Sequence, residues 1–320
     1  MSKPPEIDRD ARAIFIINAV SGTAGVEAKR EAIEAALKAS GRAGELVFAP
    51  AAELAAIARA QAAKAKAAHS AIVAVGGDGT INAVAQAAHA EGCAMGVVPQ
   101  GTFNYFARTH GLPAEPAAAV QALLQAVPHP VQVGSVNGTV FLVNASLGLY
   151  PALLEDREAY KKRFGRSRFV ALVSAFATLL REHCQLRLRI EQDGQVRSVR
   201  TPTLFVGNNR LQLEQVGLAP PAAGAEAGHI AAVMLRPIGT LAMLWLLVRG
   251  AFGSLGGADD VESFGFQQMV VTPARHSGLR GVKVAFDGEI AWMRSPLRFE
   301  VAPQPLWLLK PAGAEGESAR

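Results

Sequence analysis

The stretch AIVAVGGDGTINAVAQAA, Ala71 to Ala88, decides how this chain is read. It begins as a short apolar run with β-branched residues, the pattern of a buried strand. Gly76 and Gly77 break that run, and Ile81, Val84, Ala85 and Ala88 then recur at i, i+3, i+4 and i+7, which predicts a helix with one buried face. Strand, tight turn and helix in that order aim backbone N–H groups at an anion. Gly76, Gly77 and Gly79 let the backbone approach a phosphate with no Cβ in the way, and Thr80 is expected to cap the helix. Asp78 is the anomaly, because a carboxylate among phosphate oxygens is repelled unless a cation or a proton donor lies between them. An ordinary strand-to-helix turn with a capping aspartate fits this stretch equally well. It is not the dinucleotide fingerprint, since Asn82 stands where GxGxxG needs its last glycine, and no Gly-Lys pair exists to make a P-loop.

Working outward, the first part of the chain alternates strand and helix signals. AIFIIN, ELVFA, AIVAVGG and MGVVP read as strands, separated by helices such as VEAKREAIEAALKAS and AAELAAIARAQAAKAKAA. That alternation predicts an α/β domain with a parallel sheet, whose ligands gather beyond the carboxyl ends of the strands. In VVPQGTFNYFARTHGLP, Val97 to Pro113, a second strand ends in Pro99, and Gly101 and Thr102 open another helix beside the first. IINAVSG, Ile16 to Gly22, repeats strand and polar glycine loop once more. Three such loops on one edge make a nucleotide site.

After VPHP, Val127 to Pro130, the pattern changes to short β-branched segments bounded by Gly, Pro or Asn: VQVGSV, VFLVNAS, QLRLRIEQ, TLFVGN, HIAAVML, QMVVTP, VKVAF and LRFEVAP. These predict antiparallel strands of a second, mainly β domain, interrupted by the apolar helices FVALVSAFATLL and LAMLWLLV. The expected domains are residues 10–130 and 131–312, with 313–320 a disordered tail. Both apolar helices are shorter than the ~18 residues needed to span a bilayer.

The chain of 320 residues is half apolar and 18% charged, with a formal net charge of +5. A nucleic-acid binder would show denser basic clusters with interleaved aromatics, so none is expected as a partner. Cys93 and Cys184 are too few for a disulfide framework or a zinc site and suit a reducing cytoplasm; the polar N-terminus has no signal-peptide core. The seven histidines are scattered without metal spacing. NASLG, Asn144 to Gly148, lacks the first glycine of a nucleophile elbow and reads as a strand end.

Taken together, AVGGDGTINAV, VVPQGTFNYFA, the early NxxSG and AFDGEI, Ala285 to Ile290, resemble the diacylglycerol kinase catalytic family of bacterial lipid kinases and sphingosine and ceramide kinases. The order and spacing of these motifs match over roughly residues 12 to 312. GGDGT alone is shared with NAD kinases and phosphofructokinases, and the resemblance implies their kind of α/β fold for the first domain. It also implies ATP and Mg²⁺, with phosphoryl transfer to the hydroxyl of diacylglycerol or a related lipid in a cleft between domains. By motif, Asn18, Ser21, Gly22, Gly76, Gly77, Asp78, Gly79, Thr80, Asn82, Gly101, Thr102 and Asn104 correspond to nucleotide-contacting positions. Asp287 and Glu289 correspond to the catalytic carboxylates. Two residues apart on a strand, they would point to one face and share a metal and a proton; AFDGEI taken alone reads as a hairpin turn with exposed acids. Either of the two could be the base; Glu289 is favoured as proton acceptor with Asp287 positioning metal or water, and Asp78 is expected to face Mg²⁺ or the acceptor hydroxyl.

Two departures stand out. Ala19 replaces the proline of the usual NPxSG, and Ala227, in AEAGHI, stands where family members commonly carry an aspartate for a structural magnesium. The resemblance therefore does not carry that second metal to this chain. A cytoplasmic enzyme at a membrane surface is expected, docking through KKRFGRSRFVALVSAFATLLRE, Lys161 to Glu182, where five cations precede a short apolar helix; the alternative is that Phe169, Leu172, Val173, Phe176 and Leu180 pack on the β domain with the basic run solvated, and a homodimer stays open. A kinase of a soluble acceptor, as NAD kinases are, and a catalytically silent nucleotide-binding regulator are the rival readings.

Overall fold

The computed structural model describes residues 3–8, 10–19, 26–41, 43–149, 151, 185–208, 228–237, 261–274 and 281–311. The chain divides into two compact units, Met1–Val133 with Ala302–Arg320, and Gly134–Val301. The dock expected at Lys161–Glu182, the second apolar helix, and Ser21, Gly22 and Ala227 lie outside the described residues.

In the first unit, strands β1 (Ala13–Asn18), β2 (Gly44–Ala49), β3 (Ala71–Gly76) and β4 (Ala94–Pro99) alternate with helices α1 (Val26–Ala39), α2 (Leu54–Ala67) and α3 (Asp78–Glu91). Helices α4 (Tyr105–Thr109) and α5 (Pro116–Leu124) then lead into β5 (Ala126–Val131). β1 to β4 pair in parallel in the order β2-β1-β3-β4. Every residue of β3 and β4 is buried, as strands covered on both faces must be, which is why AIVAV and AMGVV are unbroken apolar runs. The helical periodicity after the glycine turn is borne out: Ile81, Val84, Ala85 and Ala88 are all buried.

The sheet is mixed, however, where the strand-helix alternation predicted a parallel one. Beyond β4 comes β18 (Leu306–Pro311), parallel to it, and then β5, antiparallel to β18, at the edge. VPHP, read from sequence as a boundary, is thus the middle of an edge strand. Its two prolines, Pro128 and Pro130, stand opposite Leu309 and Trp307. Proline has no N–H to donate to a ladder, so a strand holding two of them is confined to the edge.

His110, just past α4, stands edge-on to Phe106 with 4.6 Å between ring centroids. Burial, with a smaller contribution from the Lys310 ammonium, lowers its pKa from 6.5 to about 4. The unfolded chain then takes up a proton on falling through 6.5 that the folded chain refuses until about 4. This histidine's contribution is therefore complete above pH 6.5 and lost progressively towards pH 4. Urea unfolding should show a loss of about 2 kcal/mol from this group between pH 7 and pH 4.5, and His110→Gln should remove that part of the pH dependence.

The second unit is a sandwich of two antiparallel sheets. One contains β6 (Gly134–Val136), β7 (Thr139–Phe141), β9 (Leu186–Gln192), β10 (Gln195–Thr201), β14 (Gln268–Pro273) and β17 (Leu297–Val301), in the order β10-β9-β14-β17-β6-β7. The other contains β8 (Asn144–Gly148), β11 (Thr203–Gly207), β12 (Ile230–Leu235), β13 (Val261–Phe266), β15 (Val282–Phe286) and β16 (Glu289–Met293), in the order β13-β12-β11-β8-β15-β16. Leu188, Ile190, Met269, Val271 and Phe299 of the first sheet meet Leu147, Leu204, Val206, Ala232 and Val284 of the second in one core. Each alternates with outward residues, as the period of two requires. At one border of the sandwich Arg197 pairs with Glu262 and lies 4.3 Å from the Phe264 ring centroid, joining β10 to β13. QVRSVRT and EIAWM escape a hydrophobic reading because they are edge strands with one wet face.

Candidate functional site

The glycine turn and its neighbour are built against each other. β3 ends at Gly76, Gly77 is the extended N-cap of α3, and Asp78 is the helix's first residue. The adjacent strand β4 ends at Pro99, and Gln100 N–H donates to Gly76 O at 2.8 Å. Gly101 then passes so close that a Cβ on it would lie 2.8 Å from the Gly77 Cα. Asn104, in the left-handed region at φ 49°, accepts from Gly101 N–H and donates to Gly101 O, both at 2.9 Å. Gly101 is therefore required by the packing of one turn on the other, and a Cβ on Gly77 would come within 3.3 Å of the Gly101 Cα.

Asp78 supplies the tie. Its Oδ2 accepts from the Asn104 N–H at 3.0 Å, so the carboxylate fastens the first turn to the second. Oδ1 of Asp78 and Oε1 of Gln100 are buried with no hydrogen-bond partner among the described residues. Burial pushes the Asp78 carboxyl up, and backbone N–H groups of Asn104 and Tyr105 offset part of that shift. A buried acceptor oxygen on a carboxylate destabilised by desolvation is a fit for a cation or a donated proton. Gly79, by contrast, is exposed, and a Cβ there would meet nothing within 4 Å. The first-turn N–H groups of α3 have no partners within the helix, and this glycine leaves their approach open.

Asn18, at the end of β1, donates through Nδ2 to Thr80 Oγ1 at 3.1 Å and so ties the end of β1 to the first turn of α3. One expectation is corrected here. Thr80 does not cap α3; it lies inside the first turn, buried, with its hydroxyl turned to Asn18. Asn82 is buried and accepts from Gln86 Nε2 at 2.6 Å, one turn further along the same helix. Thr102 stays exposed at the rim. The structure adds two residues to the set. Gln100 was hidden from sequence reasoning because only the unpaired state of its oxygen singles it out. Phe103, 53% exposed, stacks on Tyr105 at 5.6 Å, and the sequence signal for it was an aromatic pair straddling Asn104.

In the second unit AFDGEI forms a hairpin. Asp287 and Gly288, at φ 45° and 87°, are the two turn residues joining β15 to β16. Asp-Gly is the preferred pair for this turn because both positions need positive φ. The expectation that Asp287 and Glu289 lie two apart on one strand is therefore corrected: Asp287 is in the turn and Glu289 opens β16. Asp287 Oδ2 accepts from Leu142 N–H at 2.6 Å, and Oδ1 from Val143 and Asn144 N–H at 2.8 and 2.9 Å. Three successive N–H groups wrapping one carboxylate make an anion nest. Asn208 steadies the nest, donating through N–H to Val143 O and through Nδ2 to Leu142 O. Glu289, first residue of β16, is exposed beside this anchored turn.

Removing the anchor should be costly. Asp287→Ala orphans three N–H donors and is expected to lower urea stability by about 3 kcal/mol, the scale of hydrogen bonds to a charged acceptor. Asp287→Asn, which keeps one acceptor oxygen, should lose less. Equal stability of Asp287→Ala and the unchanged protein would remove the nest from the fold's supports.

Among the described residues no group of three or more His, Cys, Asp or Glu is arranged to hold a metal. Magnesium commonly binds through one or two carboxylates and substrate phosphates, which Asp78 suits. Among the same residues no helix is long and apolar enough to cross a membrane.

Residues 12–136 match the model of the diacylglycerol kinase catalytic domain. Over 249 residues the chain is 32% identical to a Pseudomonas aeruginosa (strain UCBPP-PA14) protein named "Probable lipid kinase YegS-like", covering 76% of this chain and 77% of that protein. It is 40% identical over 88 residues to the diacylglycerol kinase of Bacillus subtilis (strain 168), which covers 27% of this chain and 29% of that protein. Among solved structures, a diacylglycerol kinase from Bacillus anthracis str. Sterne superposes with a TM-score of 0.64 at 18% identity, over 95% of this chain and 98% of that one. That likeness shows a shared fold.

Proposed function

Since the chain belongs to the diacylglycerol kinase catalytic-domain family, we propose that it is a lipid kinase, transferring the γ-phosphoryl group of ATP to the hydroxyl of diacylglycerol or a related lipid. The observation that carries the reading furthest is the pair of interlocked turns, Gly76–Thr80 and Gly101–Asn104, with open space above Gly79. A wall of backbone N–H groups without side chains is what a polyphosphate needs.

Asp78 Oδ1 is the oxygen suited to hold Mg²⁺, which when bound neutralises phosphate charge and screens Asp78 from it. The turns around Gly77 and Gly101 keep the phosphates at fixed positions, because their mutual contact leaves the backbone no slack. Asn18 braces the first turn of α3 through Thr80. In the second unit Asp287 holds the hairpin rigid through its three N–H bonds, and Glu289 accepts the proton of the attacking hydroxyl. Asp287 is a positioning residue in this scheme, and Glu289 the catalytic one. Rigid placement of the base matters because phosphoryl transfer gains mostly from positioning and charge neutralisation.

The deciding experiment incubates the purified protein with γ-labelled ATP, Mg²⁺ and a total lipid extract in neutral detergent. Label is expected in an organic-phase phospholipid, lost when Mg²⁺ is chelated. Label appearing only in a water-soluble product such as phosphorylated NAD, or in none, would overturn the reading.

A further inference from the structure

On the second unit, the face of β9 and β10 turned away from the core carries Arg187, Arg189 and Arg200, all exposed. Arg187 stands directly opposite Arg200 in the antiparallel register, and Arg189 opposite Ser198. Arg298 of β17 joins the same face, since Val270 of β14 pairs with Glu191 on one side and with Arg298 on the other. Arg189 pairs with Glu191 at 3.2 Å; Arg187 and Arg200 have no ion-pair partner among the described residues. Like charges placed opposite each other weaken a sheet, so this pair costs stability in the isolated fold. Four always-charged guanidinium groups against two acids, Glu191 and Glu300, leave this face positive. Val196, 55% exposed, adds an apolar side chain to it.

A sheet face holds these groups in a layer instead of converging them on a point. That arrangement suits a surface of many anions, and the planar fork of arginine matches phosphate oxygens in pairs. We propose that the outer face of β9–β10, through Arg187, Arg189 and Arg200, docks this protein on an anionic phospholipid bilayer. The proposal rests on the lipid-kinase reading, which puts the acceptor in a membrane; docking holds the enzyme at the surface where its substrate is concentrated.

The test uses the full chain with vesicles of phosphatidylcholine alone and of phosphatidylcholine with about 30% phosphatidylglycerol, at low and at about 0.5 M salt. The unchanged protein is expected to sediment with the anionic vesicles only, and to be released by salt. With Arg187, Arg189 and Arg200 all changed to Gln, partition should fall about 100-fold, roughly 5-fold for each cation removed. The corresponding triple Lys variant keeps the charge and should retain most of the binding. Equal partition of the unchanged and Gln proteins, or no binding by the unchanged protein, overturns the proposal. So does binding of duplex DNA through these arginines with no binding to vesicles. Lipid phosphorylation in neutral detergent micelles, which offer no anionic surface, is read in parallel. Transfer there by both proteins, with equal vesicle binding, removes the docking face alone. Absence of transfer in micelles removes the kinase reading, while vesicle partition still decides the face.

Discussion

Gly79→Asp is expected to weaken ATP binding by ~100-fold or more while leaving the folded protein intact, because a new negative charge within ~4 Å of phosphate in a partly dry site opposes binding by several kcal/mol. The expectation separates two kinds of glycine in one turn. A side chain at Gly79 meets open space, so nothing in the fold resists it and the melting temperature should hardly move. At Gly101 a methyl group would press on the Gly77 Cα at 2.8 Å and on Asn104 Oδ1 at 2.7 Å. Gly101→Ala should therefore destabilise the protein by about 1–3 kcal/mol through overpacking. Calorimetric titration with Mg-ATP and thermal melting together resolve the two. Unchanged ATP affinity in Gly79→Asp would take this turn out of the nucleotide site.

Glu289→Gln should lower kcat by ~10²-fold or more, the usual scale for loss of a general base, with ATP affinity and melting temperature unchanged. The side chain is exposed, so its replacement by an isosteric amide leaves no buried group unpaired. The contrast with Asp287 is informative, since that carboxylate supports three backbone donors and its loss should appear first in stability. If Glu289→Gln keeps full activity, the proton acceptor is elsewhere, and Asp78, with its buried unpaired oxygen, becomes the residue to change next.

Much of this protein was legible from neighbours in sequence. The buried strand AIVAV, the helix face of Ile81, Val84, Ala85 and Ala88, and most of the short strands of the second unit follow from periodicities of 3.6 and 2. These are local patterns, set by which face of a single element must leave water. The GGDGT and DGE residues were legible for a related reason, because turn chemistry depends on a few adjacent dihedral angles.

What the sequence left undetermined depends on partners far along the chain. Leu306–Pro311 falls within the residues 131–312 expected for the β unit, yet it pairs with β4 and β5 in the first sheet, across about two hundred intervening residues on the β4 side. A strand's pattern records that it is buried and does not record beside which strand. Asp287 was read as part of a strand, and nothing near it in sequence pointed to the N–H groups of Leu142, Val143 and Asn144 that its turn meets, 143 to 145 residues earlier. Asp78 likewise posed a conflict of charge that only the neighbouring turn resolves, through the Asn104 N–H 26 residues on. The sequence by itself determined which segments are strands and helices and which loops carry the chemistry. Tertiary structure decided which backbone donors each carboxylate meets, because hydrogen-bond partners in this fold are chosen by proximity in space.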